Sequence, residues 1–139
     1  MKVVVDTCVL KLATLPNADN PAALVVALAA AARIELWASP AMLEEYSTVL
    51  ATESATLALV QDHVHLCYPL TYLRVVRHEP DNRFVECALA VEADYLITVN
   101  TARGHFDRER YGAIRVVSPG QFVGLPEVQP LLRGLCDGR

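Results

Sequence analysis

The chain has 139 residues, of which 53% are hydrophobic and 20% charged, a composition that indicates one globular domain with a sizeable core and excludes a disordered chain. Its formal net charge of −4 excludes a surface that is basic throughout, as is usual for proteins that bind nucleic acid over a whole face. The longest apolar run, residues 22–32, is too short to cross a bilayer, and the first residues lack a secretion signal, so we expect a cytoplasmic protein that makes no membrane contact.

Segments that suit strands alternate with segments that suit helices along the whole chain. The predicted strands are, in order, Lys2–Asp6, Ile34–Ala38, Tyr72–Val76, Asp94–Thr98 and Ile114–Val117. The predicted helices are Pro21–Arg33, Pro40–Leu50, Glu53–Leu66, Arg83–Glu92 and a short Pro119–Val123. This alternation predicts an α/β fold with three layers, α/β/α, in which a mostly parallel, Rossmann-like central sheet lies between helices.

The first predicted strand ends at a carboxylate, Asp6. The run Val3, Val4 and Val5 is typical of a strand buried on both faces, so an acid directly after it does not belong to the core. Ligands of open α/β sheets bind just beyond the carboxyl ends of the strands. Asp6 is therefore a candidate metal ligand, and the alternative is that it only caps the helix that starts near Thr7.

The helix after the second strand carries two adjacent acids, Glu44 and Glu45. Its apolar stripe is made by residues 42, 43, 46, 49 and 50, and at about 100° per residue Glu44 points to water. Glu45 flanks the packed face, from where it can reach the edge of the sheet. The alternative for Glu45 is a solvated helix charge.

Further polar residues fall at the same predicted edge. Asp81 precedes the fourth long helix, where it is either an oxygen ligand for a divalent metal or a cap. Thr98 ends the fourth strand and Asn100 comes two residues later, whereas Asp94 begins the strand and so lies at the opposite edge, where we expect a structural hydrogen bond. Carboxylates held together at one edge repel one another unless a cation pairs them, so the pattern predicts a divalent metal.

These segments, in this order and spacing, resemble the PIN-domain ribonucleases, and within them the VapC-like branch described as putative toxins of toxin–antitoxin systems. The resemblance covers essentially the whole chain. We expect residues 1–125 to form a PIN-like nuclease domain and the tail, residues 126–139, to pack on the same domain. The matching segments are Val4–Leu10, Ser39–Leu50, Asp81–Ala90, Ala93–Phe106 and Val116–Phe122.

The resemblance implies endoribonuclease chemistry in which Mg²⁺ or Mn²⁺ activates water for hydrolysis of an RNA phosphodiester bond. Asp6, Glu45 and Asp81 match the first three acids of the family and are expected to be catalytic metal ligands. Asn100 falls on the fourth position, which is commonly Asp, and is the fourth expected ligand, through its amide oxygen. Cys8 stands where the family commonly has Asn, and we expect this replacement to remove a polar neighbour of the site.

Two departures from the family pattern, at Cys8 and Asn100, keep a second function open. In this alternative the chain is a PIN-like module with weak or lost catalysis that binds RNA or a partner. A haloacid-dehalogenase-type phosphatase is disfavoured, because the second Asp that such enzymes need would stand at Cys8.

The resemblance also implies partners. We expect an RNA substrate, a small antitoxin protein and a homo-oligomer, most simply a dimer. The arginines near His105, at positions 103, 108, 110 and 115, are candidates to guide the RNA backbone, and a solvated loop is the alternative. The apolar run at residues 22–32 is normally buried in the core, or else is covered by a partner chain.

Overall fold

The computed structural model describes residues 1–16 and 19–137, and within them six strands form one mixed, mostly parallel sheet in the order β3-β2-β1-β4-β6-β5. All neighbouring strands are parallel except β5 and β6. The predicted fold class is confirmed. The strands are β1 (Lys2–Val5), β2 (Glu35–Ala38), β3 (His65–Leu66), β4 (Tyr95–Ile97), β5 (Arg110–Tyr111) and β6 (Ile114–Val117).

Seven α-helices within the described residues flank this sheet. A short 3₁₀ turn, Glu79–Asp81, leads directly into one of them. The helices are α1 (Thr7–Ala13), α2 (Pro21–Ala30), α3 (Pro40–Val49), α4 (Ser54–His63), α5 (Asn82–Val91), α6 (Pro119–Val123) and α7 (Gln129–Asp137).

Side-chain caps define where several helices begin. The Ser39 hydroxyl accepts a hydrogen bond from the backbone N–H of Met42, and Pro40 occupies the first turn of α3, as the sequence predicts. Ser118 and Gln121 form a reciprocal capping box at the start of α6. These caps fix the points at which the chain passes from β2 into α3 and from β6 into α6.

The predicted strand Tyr72–Val76 is wrong, since this segment is irregular. The third strand is instead His65–Leu66, inside the predicted helix Glu53–Leu66, because α4 ends at His63 and Val64 turns to an extended conformation. Trp37 of β2 stacks on His65 with 5.1 Å between ring centroids. The sheet edge beside β2 is therefore already occupied before residue 72.

The irregular segment is held by one buried side chain, that of Asn82. Its oxygen accepts hydrogen bonds from the backbone N–H groups of Val75 (2.9 Å) and Val76 (2.8 Å). Its amide nitrogen donates to the carbonyl oxygens of Val76 (2.9 Å) and Glu79 (3.2 Å). Asn82 is fully buried, so these bonds replace the strand pairing that the alternating pattern suggests.

Besides β3, helix α7 and strand β5 were not predicted. Helix α1 begins at Thr7, as expected, and helix α7 accommodates Pro130 in its first turn, where a missing N–H costs nothing. Strand β5 pairs antiparallel with β6 through the two-residue turn Gly112–Ala113, and Gly112 has a φ of 62°, a conformation that favours glycine.

The core lies on both faces of the central strands. Val3, Val4 and Val5 of β1 are at most 1% exposed. Phe84 of α5 packs against the rings of Tyr46 and Phe106, at centroid distances of 6.3 and 6.1 Å. The strand order runs outward from β1 in one direction and from β4 in the other, so the carboxyl ends of β1 and β4 form the topological switch point of the sheet.

Helix α2 is covered by the chain itself. It contacts α1, α4, α6 and α7, and each of its residues is buried or half-buried. The helix also ends at Ala30 and not at the predicted Arg33. The expectation that a partner chain covers this apolar run is therefore not supported, and burial within the domain accounts for it.

Replacing Asn82 by Ala is expected to lower the free energy of unfolding by about 3 kcal/mol or more, because buried N–H groups that lose an acceptor cost about 1–3 kcal/mol each. Urea denaturation followed by circular dichroism measures the change. Glu44→Ala, on an exposed helix face, is the control and is expected to be near neutral. A change at Asn82 no larger than the control would show that the segment is held by other contacts.

Candidate metal centre

Asp6 lies at the switch point and is only 5% exposed. It occupies the N-cap position of α1, yet its side chain makes no capping hydrogen bond. Its carboxylate instead accepts hydrogen bonds from the Thr98 hydroxyl (2.8 Å), at the end of β4, and from the Cys8 thiol (3.0 Å). The structure therefore disfavours the interpretation of Asp6 as a cap and leaves its carboxylate facing the sheet edge.

Glu45 reaches this edge from α3, as the helical phase predicts. Its carboxylate accepts a hydrogen bond from the Thr7 hydroxyl, and the hydroxyl of the next residue, Tyr46, donates to the Val5 carbonyl. Two consecutive residues of α3 therefore form hydrogen bonds with the residues on either side of Asp6. Glu44 is exposed, in agreement with the prediction.

Asp81 approaches from the 3₁₀ turn before α5 and is 6% exposed. It is the N-cap residue of α5 by position, but its side chain makes no capping hydrogen bond. One of its oxygens lies 3.3 Å from Nδ1 of His78, and the other lies 2.9 Å from Nδ1 of His105. A second buried acid is thus also available for a role other than capping.

The end of β4 supplies Thr98 and Asn100. The fully buried Thr98 hydroxyl accepts from the Asn100 backbone N–H at 2.9 Å while it donates to Asp6. Asn100 is half-buried, and its carbonyl accepts from the Phe106 N–H. Within the described residues its side-chain amide makes no hydrogen bond to the three acids, although its backbone is tied to the residue that binds Asp6.

Asp94 lies at the opposite edge, as predicted. Its carboxylate accepts a hydrogen bond from the backbone N–H of Lys2 at 2.9 Å, where β1 begins. This confirms the structural role expected for Asp94 and removes it from the candidate ligands.

The three acids at the switch point interact electrostatically. Burial raises the pKa of Asp6, hydrogen bonds from Cys8 and Thr98 lower it, and the charge of Asp81 raises it further. Burial also raises the pKa of Glu45, where the hydrogen bond from Thr7 opposes the charges of Asp6 and Asp81. Both carboxylates are therefore costly to ionise without a positive partner, which a divalent cation would supply.

The residues present fit a divalent metal. Three carboxylates from three separate elements supply oxygen atoms, the donors that Mg²⁺ and Mn²⁺ prefer. Among the described residues, the ligand atoms that lie within 4.8 Å of one another belong to His78, Asp81 and His105, and Asp6 and Glu45 are not part of that group. Asp6 and Glu45 are linked to Asp81 through the effect of its charge on their pKa values.

Cys8 does not remove a polar group from the site, contrary to the sequence-based expectation. Its thiol donates to Asp6 and lies 3.8 Å from the Thr98 hydroxyl. Burial and the charge of Asp6 raise the pKa of Cys8 to about 11. The protonated thiol therefore serves as the hydrogen-bond donor that orients Asp6.

The predicted arginine group does not act as a unit. Arg110 and Arg115 face each other across the β5–β6 hairpin, and Arg115 lies over Tyr95 at the start of β4, the end remote from Asp6. Arg103 and Arg108 are exposed in the loop that carries His105. Only the latter two belong to the same loop as a residue of the site.

The sequence analysis did not identify His78 and His105 as partners of Asp81. A signal existed for His78, which stands three residues before Asp81 in a His-Glu-Pro-Asp segment. His105 was noted only among the neighbouring arginines, because a contact across 24 positions between two loops has no periodic signature.

A family model described as PIN domain matches residues 2–102. No curated protein and no solved structure matches the chain significantly. No helix among the described residues is long and apolar enough to span a membrane.

The raised pKa values predict how stability depends on pH without metal. The pKa values of Asp6 and Glu45 are higher in the folded protein than their ordinary values of 3.8 and 4.5. The folded protein therefore loses stability as the pH rises from these ordinary pKa values through the raised ones, because the buried carboxyls must then give up their protons. We expect Asp6→Asn and Glu45→Gln to reduce this loss and to raise the melting temperature at pH 7 in a chelator.

Thermal melts between pH 4 and pH 8, with and without Mn²⁺, measure this effect. Mn²⁺ is expected to stabilise the wild type at pH 7 and to stabilise both variants less. Glu44→Gln, one residue away but exposed, is the matched control. Identical pH profiles of the melting temperature for Asp6→Asn and the wild type would show that Asp6 does not cause the loss of stability with rising pH.

Proposed function

The chain belongs to the PIN-domain family, and from that premise we propose that it is a metal-dependent endoribonuclease that hydrolyses RNA phosphodiester bonds. PIN domains are generally nucleases, so a nucleic-acid substrate follows from the family. The choice of RNA, of Mg²⁺ or Mn²⁺ as cofactor and of the residues that act is the proposal.

One observation carries this proposal. Asp6 and Asp81 are both buried, both stand at N-cap positions and neither caps its helix. Glu45 joins them, and the three charges are coupled. Burying coupled acids is costly unless a cation offsets their charge, so the arrangement favours a catalytic metal over a structural role.

The proposed roles follow from the contacts of each residue. Asp6, Glu45 and Asp81 would hold the metal, with the amide oxygen of Asn100 as a fourth ligand. When bound, a divalent metal lowers the pKa of water and stabilises charge on the phosphate. Thr98 and Cys8 orient Asp6 through hydrogen bonds, and Thr7 orients Glu45 in the same way.

Exposed arginines lie on both loops around Asp81. Arg77 precedes His78, and Arg103 and Arg108 flank His105 along the chain. Guanidinium groups bind phosphate oxygens, so these arginines are suited to guide an RNA backbone toward the acids. The net charge of −4 then reflects the rest of the surface and the acids of the site.

We further propose that the nuclease is the VapC-like toxin of a toxin–antitoxin pair, acting in the cytoplasm as a dimer that a small antitoxin protein inhibits. An apolar cavity of about 190 Å³ beside Val99, lined also by Leu12, Pro21 and Pro119, suits an apolar side chain of such a partner. We also propose residues 1–125 as the nuclease domain and the tail as its extension, since α7 contacts α2.

A PIN-like module with weakened catalysis is the second candidate. Asn100 favours it, because a neutral amide replaces a possible anionic ligand. Cys8 no longer favours it, since the thiol hydrogen-bonds to Asp6. The retained acids Asp6, Glu45 and Asp81 oppose it.

Cleavage of a labelled RNA in the presence of Mn²⁺ or Mg²⁺ tests the proposal. Asp6→Asn and Glu45→Gln are each expected to lower the rate by about 100-fold or more, the order found when a group that stabilises transition-state charge is removed. Asp94→Asn, at the opposite sheet edge, and the exposed Glu44→Gln are the matched controls. Cleavage that survives in both site variants would refute the metal assignment, and an inert wild type would favour the binding module.

Asn100→Asp tests the fourth ligand. An added carboxylate is expected to tighten Mg²⁺ binding by about tenfold, the lower end of changes seen when a group beside a metal is altered. The affinity is measured as the Mg²⁺ concentration that gives half of the maximal rise in melting temperature. An unchanged or higher concentration at this midpoint would place Asn100 outside the metal centre.

A further inference from the structure

We infer that His78, Asp81 and His105 bind a divalent transition metal of the Zn²⁺ class, so that the ion on Asp81 is held partly by nitrogen and not only by oxygen. This rests on the proposed function in placing a metal at Asp81. It adds two imidazole ligands and a metal preference that the three acids alone do not imply.

The two imidazoles converge on opposite oxygens of one buried carboxylate. Nδ1 of His105 lies 2.9 Å from one oxygen of Asp81, and Nδ1 of His78 lies 3.3 Å from the other. The two rings are 4.8 Å apart at 44°. The side chain of His78 is 52% exposed and that of His105 30%, whereas that of Asp81 is 9% exposed. An ion from solvent can therefore reach the nitrogen donors while the carboxylate anchors it.

Main-chain contacts hold the two histidine loops together. The His78 N–H donates to the Gly104 carbonyl at 2.7 Å, and the Asp81 N–H donates to the His78 carbonyl at 3.0 Å. Gly104 has a φ of 93°, a conformation that favours glycine, and its N–H donates to Asp107 at 3.1 Å. The histidines are thus brought to Asp81 by the backbone and do not depend on the Asp81 contact alone.

The donor chemistry selects the metal. Imidazole suits Zn²⁺ and neighbouring transition ions, whereas Mg²⁺ takes oxygen ligands and retains water. Two histidines and one carboxylate leave coordination positions open, as catalytic metal centres require. The alternative is that both imidazoles only orient Asp81 by hydrogen bonding, so the test must detect nitrogen bound to the metal itself.

X-ray absorption spectra of the Zn²⁺-loaded full-length protein count the imidazoles bound to the metal. Two are expected in the wild type and one in His78→Gln or His105→Gln. The exposed His63→Gln is the matched control and is expected to keep two. Chelator competition should show Zn²⁺ affinity falling by about tenfold or more in each site variant, with little change for Mg²⁺ and none in His63→Gln.

Thermal melts confirm that each variant is folded, and His105→Asn replaces His105→Gln if the latter is not. An unchanged imidazole count in both site variants, or an effect of His63→Gln equal to theirs, overturns the inference. RNA cleavage supported by Mg²⁺ with no imidazole in the Zn²⁺ shell overturns it and leaves the proposed function standing. Imidazole ligation without cleavage in any metal supports the inference and counts against the proposed function.

Discussion

The burial of two carboxylates, Asp6 and Asp81, beside the half-buried Glu45 is the constraint that organises this protein. Asp6 and Asp81 are nearly inaccessible, and burial raises the pKa of Asp6. Hydrogen bonds from Thr98 and Cys8 offset part of that cost at Asp6, and Thr7 does so at Glu45. These donors do not cancel the effects of burial and mutual repulsion, so the pKa values of Asp6 and Glu45 stay raised, and a divalent ion at this edge would stabilise the ionised carboxylates.

The acids are positioned by contacts that all involve the carboxyl end of β1. The switch point sets β1 beside β4, which brings Thr98 to Asp6. Helix α3 is tied to the same strand end through Tyr46, so the position of Glu45 follows from that of β1. The positions of Asp6, Thr98 and Glu45 therefore all depend on how the short strand β1 packs in the sheet. A substitution that displaces β1 would disturb the core and the site together.

How much could be predicted from the sequence depended on whether a residue lies within a periodic element. Asp6 and Glu45 were placed at the edge because a strand end and a helical phase are readable from local pattern. The strand assigned to Tyr72–Val76 failed because alternation alone cannot show that His65–Leu66 already occupies the edge of β2. The contacts of Asn82, His78 and His105 join irregular loops, so they follow from tertiary structure and have no local signature. Whether Asn100 binds metal remains a prediction.

The way Asn82 holds its loop has a consequence for how this site can diverge in evolution. Asn82 makes its hydrogen bonds chiefly to main-chain groups of Val75, Val76 and Glu79, groups that every residue except proline at a donor position provides. His78 is exposed and its main-chain N–H donates to the Gly104 carbonyl, so we expect the loop to keep its path when the side chain at position 78 is changed. A substitution at position 78 would then change the atoms offered beside Asp81 without changing the path of the main chain.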